Sequence, residues 1–164
     1  MIRNVKNIIK ILLLSWICMA TKCRDKDSGN CHTAVRISNY SERNIRIAQT
    51  FLSIYYPDPL NIKGFYLTAS EEKYKIISGE LDNSKAARSS SCMEKQFENY
   101  KPLIVYVFDA DVVENTSWEV VARDYLVLKR YDLTLEDLQR LDWKITYPPT
   151  EAMKDVKMYP QYGE

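Results

Sequence analysis

Three features of the chain predict a mainly β fold, sandwich-like, with α+β character confined to its C-terminal third. Apolar and polar residues alternate at 33–38, 45–48 and 143–147, the period of a strand with one buried face. Leu103-Ile104-Val105-Tyr106-Val107-Phe108 is unbroken and apolar, as a strand buried on both faces requires. The 12 tyrosines, with many Val, Ile and Thr, add to the β tendency. At 164 residues there is room for one domain once a leader is set aside.

The elements follow in order. Val35, Ile37, Ile45 and Ile47 face a core across the polar turn Asn39–Asn44. Tyr56-Pro57-Asp58-Pro59 is a loop, because each proline drives its predecessor out of helical space. Phe65–Leu67 and Tyr74–Ile77 are short strands, the second stopped at Ser78-Gly79, and Asp82–Ser91 reads as loop. Leu103–Phe108 is the central strand. Thr116 with Glu119 forms a capping box ahead of a short helix at Trp118–Val121. Tyr125–Tyr131 is another strand. Thr134 then caps a two-turn helix whose Leu135, Leu138 and Leu141 share one stripe. Trp143, Ile145 and Tyr147 alternate in a last strand. The domain limits are thus a leader at 1–22, a tether at 23–31, a β-rich domain at 32–148 and a polar tail at 149–164.

The leader sets the address. Arg3, Lys6 and Lys10 precede the apolar run Ile11–Ala20, and the charged Arg24-Asp25-Lys26-Asp27 follows: the order of a secretory signal peptide. A run of about ten residues is too short to span a bilayer core. Cys23, preceded by Ala20-Thr21-Lys22, is the candidate for lipid attachment, with the polar residues to Asn30 as a solvated tether. The rival cut falls after Ala20 and leaves Cys23 a thiol. Without residues 1–22 there remain 19 basic and 22 acidic residues, a charge of about −3. That balance argues against nucleic acid as a partner and supplies no polybasic patch for anionic lipid.

Tyr125–Pro148, the opening Asn30-Cys31-His32 with Ile37–Ser41, and the strand Leu103–Asp111 resemble a group of small exported lipoproteins from Bacteroides-type bacteria. The likeness covers roughly residues 23–148. The group has no assigned activity, so the resemblance implies only domain limits and an extracytoplasmic place, anchored through lipid to the outer membrane.

Few residues suggest chemistry. Cys31 and Cys92 are candidates for a disulfide, since export exposes them to oxidising conditions. Closing a loop of about 60 residues adds roughly 4 kcal/mol in the chain-entropy account. The alternatives are two separate thiols, or a Cys31 nucleophile beside His32, although catalytic Cys–His pairs are seldom sequence neighbours. One His and no Cys-x-x-Cys leave no metal framework, and Gly29, Gly64, Gly79 and Gly163 are too scattered for a phosphate loop. No pattern calls for a cofactor. Asn39-Tyr40-Ser41 and Asn115-Thr116-Ser117 match a glycosylation pattern, which in a bacterial exporter is a chance match.

The central strand runs into Asp109-Ala110-Asp111, which resembles the first motif of haloacid-dehalogenase-like phosphatases. The resemblance implies Asp109 as nucleophile and Asp111 as acid/base, with magnesium screening the phosphate. Residues 33–80 lack the alternating helices such a fold needs, so this magnesium-dependent hydrolase is the second reading. The first is a non-catalytic binding or structural module for a protein or glycan partner. Tyr55, Tyr56, Tyr66 and Trp118 could offer flat faces to it, while Trp118 and Trp143 also suit the core.

Overall fold

The computed structural model describes residues 31–51, 75–79 and 86–164. Cys23, the leader, and Tyr55, Tyr56, Tyr66 and the strand predicted at Phe65–Leu67 lie outside the described residues. The fold is mostly β. The elements are β1 (Ala34–Asn39), β2 (Ile45–Phe51), β3 (Lys75–Ile76), β4 (Ala86–Arg88), α1 (Met93–Asn99), β5 (Leu103–Asp109), α2 (Ala110–Asn115), α3 (Trp118–Arg123), β6 (Lys129–Leu133), α4 (Leu135–Arg140), β7 (Lys144–Tyr147), a 3-10 turn (Glu151–Met153) and β8 (Lys157–Tyr159). Among the described residues no helix is long and apolar enough to cross a membrane.

Two sheets result. The larger is antiparallel in the order β3-β2-β5-β6-β8. The smaller, β4-β1-β7, pairs β1 antiparallel with β4 and parallel with β7. β1 and β2 therefore do not form a hairpin; the chain changes sheet at the turn between them. Asn39 holds that corner. Its amide donates to the carbonyls of Arg43 (2.8 Å), Ile77 (3.2 Å) and Ile76 (3.3 Å), and its Oδ1 accepts from the Ser41 backbone N–H and hydroxyl. The side chain that matched a glycosylation pattern is fully buried and spent on backbone.

Alternation works as read. Val35, Ile37, Ile145, Ile45, Ile47, Val105, Val107, Tyr131 and Leu133 form one cluster fed by both sheets. The Tyr131 hydroxyl donates to the Thr146 carbonyl at 2.8 Å, tying β6 to β7 through the core. The other face of β5, Ile104, Tyr106 and Phe108, packs with Ala48, Val113 and Val121 under α2 and α3. Burial of both faces thus matches the unbroken apolar run. Trp143 is 6% exposed, as the core reading required, and Trp118 is half-buried against Phe108.

Several expectations give way. Asp82–Ser91 contains β4, whose three residues pair with Ala34–Arg36. The residues at 93–99 form a helix because Met93 and Phe97, four apart, bury one stripe. α2 follows β5 directly, its first turn capped by Asp109. α3 starts one residue later than the predicted box: Ser117 is its N-cap, and no side chain caps it. The strand predicted at Tyr125–Tyr131 begins only at Lys129. Tyr125 sits at φ 50°, and the Leu126 N–H still bonds the Val121 carbonyl at 3.0 Å, so this stretch finishes α3. Thr134 caps α4 as predicted, with Asp137 completing the box. The supposed tail at 149–164 is part of the fold: Met153, Val156 and Met158 are core, and β8 pairs with β6 from Arg130 to Asp132.

Candidate functional site

One polar corner is built by residues far apart in sequence. His32, just before β1, and Glu94, in the first turn of α1, meet through two bonds. The His32 backbone N–H donates to Glu94 Oε2 at 2.8 Å, and its ring Nδ1 lies 2.6 Å from Oε1. The Met93 N–H closes the corner on the His32 carbonyl at 2.8 Å. The imidazole stacks on Trp143, centroids 4.1 Å apart and planes within 16°. Trp143 is itself held at φ 56° in the turn between α4 and β7.

Cys92 joins this corner instead of forming a disulfide. No bridge links Cys31 and Cys92; the Cys92 thiol donates to Glu94 Oε2 at 3.1 Å. Burial works to raise the Glu94 carboxyl. The hydrogen bonds from the His32 ring, the His32 backbone and the Cys92 thiol outweigh it and hold the group below its usual range. Glu94 accepts a hydrogen bond from the Cys92 thiol and occupies the Nδ1 that a Cys–His pair would use. The corner is built to hold, with the carboxylate as its hub. Beside it, Phe97 and Leu135 floor a groove of about 360 Å³ rimmed by Glu94, Glu98, Glu136, Thr134 and Lys101.

The Asp-x-Asp motif is divided by the strand-to-helix junction. Asp109 ends β5; its Oδ1 caps the Asp111 N–H at 3.0 Å and its Oδ2 pairs with Arg43 at 2.9 Å. Asp111 is exposed on the first turn of α2. The nearby Lys75 bonds Glu114 at 2.9 Å, and the buried Arg46 meets the same oxygen at 2.7 Å. Those two hydrogen bonds hold the Glu114 carboxyl below its usual range.

A third arrangement crosses the outer edge of the large sheet. The register places Arg130 of β6 between Tyr106 of β5 and Tyr159 of β8. Its guanidinium carbon is 5.7 Å from the Tyr106 ring centre and 5.4 Å from that of Tyr159. Asp132 fixes the guanidinium with two hydrogen bonds, Nε–Oδ1 at 2.6 Å and the second at 3.1 Å. Lys157 approaches the Tyr159 ring at 5.7 Å. At this anchor Tyr159 is 42% exposed and Tyr125, whose side chain hydrogen-bonds Arg130, is 44% exposed. The edge therefore displays aromatic surface on a cation held by Asp132.

Glu94, Arg130 and Tyr159 escaped the sequence reading. Glu94 is separated from His32 by 62 positions, and only the cross-strand register of β5, β6 and β8 aligns Tyr106, Arg130 and Tyr159. Compared with protein-family models, curated proteins and solved structures, the chain matches none.

Proposed function

We propose that this chain is an exported, lipid-anchored envelope protein whose β-sandwich-like body acts as a non-catalytic binding module. It is of the kind represented by the small Bacteroides-type lipoproteins its sequence resembles. The anchor rests on the order of residues 3–27: basic, apolar, small, Cys23, then polar. Attachment at the outer membrane follows from the same resemblance.

The observation that carries the binding reading is the edge formed by the exposed Tyr125 and Tyr159 at Arg130. Aromatic side chains give large contact area for little lost rotamer freedom, and Tyr and Arg are favoured where partners dock. Asp132 and Tyr106 hold Arg130 in place, so the surface is ordered before a partner arrives. Asp109, by contrast, already serves Arg43 and the start of α2, which favours binding over phosphoryl chemistry. The partner is a protein or glycan of the envelope.

Hydroxyl-radical footprinting on intact cells, compared with the purified protein, tests this. Tyr125 and Tyr159 should be protected in cells, while the exposed Tyr40 and Tyr100 react equally in both. Equal reactivity of all four tyrosines in the two samples would overturn the reading.

A further inference from the structure

Lys129 carries its charge inside the fold. It opens β6 two residues before Tyr131, on the face that feeds the main core, and is only 5% exposed. Its ammonium donates to the Pro160 carbonyl at 2.9 Å and the Gln161 carbonyl at 3.3 Å. These acceptors take two of its three hydrogens and leave its charge uncancelled. Among the described residues no carboxylate is in contact with it. Burial pushes the ammonium below its ordinary pKa, and the Glu164 charge, acting through space, offsets this only in part. Buried charges are ordinarily paired, so a negative partner suits this position.

The same lysine lines a groove of about 390 Å³ walled by Tyr147, Pro148, Pro160 and Tyr162, with Glu164 beside them. Small-molecule sites have this size and this make-up, ring and apolar walls around a few placed polar groups. We propose that the groove binds a small organic carboxylate carried on a ring. The carboxylate takes the remaining Lys129 hydrogen, and the ring lies among the tyrosine and proline faces. Glu164 does not hold that place, because its Oε2 accepts from the Gln161 N–H at 3.0 Å. Its charge has the ligand's sign, however, and opposes binding. β6 sends Arg130 to its opposite face, toward Tyr106, so the groove is separate from the Tyr125–Tyr159 edge.

Ligand-observed saturation-transfer NMR on the full chain tests the site. The probes are benzoate and glucuronate, with benzyl alcohol and glucose as their uncharged counterparts. At least one acid should bind at millimolar concentration and its counterpart should not; which acid binds tells an aromatic ring from a sugar ring. Lys129→Met should weaken binding about tenfold or more, the weight of a charge-assisted hydrogen bond. That variant also releases Pro160 and Gln161, so a second one guards against local rearrangement. Glu164→Gln, at an exposed position, removes the opposing charge and should tighten binding several-fold. The site would be overturned if neither acid binds, if acid and counterpart bind alike, or if affinity is unchanged in Lys129→Met or in Glu164→Gln.

Discussion

Asn39 concentrates more of the fold than its size suggests. Its amide donates to three backbone carbonyls where the chain leaves one sheet for the other. Asn39→Ala strips those acceptors of a partner in a buried place, which costs roughly 1–3 kcal/mol per unsatisfied group. Urea denaturation should register a loss of that order or more. Glu94 makes a pH-dependent contribution. Its folded pKa lies below the ordinary 4.5, so the stability it adds is complete above that value and is lost as pH falls through the lower folded one. Between neutral pH and the acid side of 4.5, the native protein should lose more stability than Glu94→Gln. Parallel losses would contradict the hub role of this carboxylate. Neither residue announces itself in the sequence: Asn39 reads as a turn residue and Glu94 as one acid among many. What makes them matter is the contacts at positions 43, 76, 77 and 32, which no local pattern encodes.

At the scale of elements, legibility tracked how much of a segment's character is local. β5 was readable because both of its faces are buried and every residue says so. β1 and β2 were readable by alternation, and α4 by its cap and leucine stripe. Tyr125–Leu128 has strand-like composition, yet the positive φ of Tyr125 and the Leu126–Val121 bond keep its first half with α3, and the chain joins β5 only at Leu128, whose N–H bonds the Val107 carbonyl at 2.9 Å. β8 has only three residues, with Met158 alone turned inward, too short for any period to show. It is nonetheless the outer rail of the large sheet and carries Tyr159. Met158 is 3% exposed, and truncating a buried methionine costs about 2–5 kcal/mol. Met158→Ala should therefore lower the thermal midpoint clearly and raise hydrogen exchange in β8 first. A neutral outcome would show that residues 149–164 are the loose tail their composition suggested.

For the whole molecule, the proposed function joins an export address in residues 3–27 to a β body with an aromatic edge. The central claim is that the body is delivered outside the cytoplasm and held there by lipid on Cys23. On the proposed reading the module would meet its partner at a membrane surface, where anchoring raises local concentration and modest contact area suffices. The proposed acyl chains would supply the membrane attachment, since no described helix is long and apolar enough to cross a bilayer. The most direct test is the intact mass of the native protein extracted from the membrane fraction. The account predicts a chain that begins at Cys23 and carries acyl chains. A lipid-free chain beginning at Thr21, recovered from the soluble fraction, would contradict it.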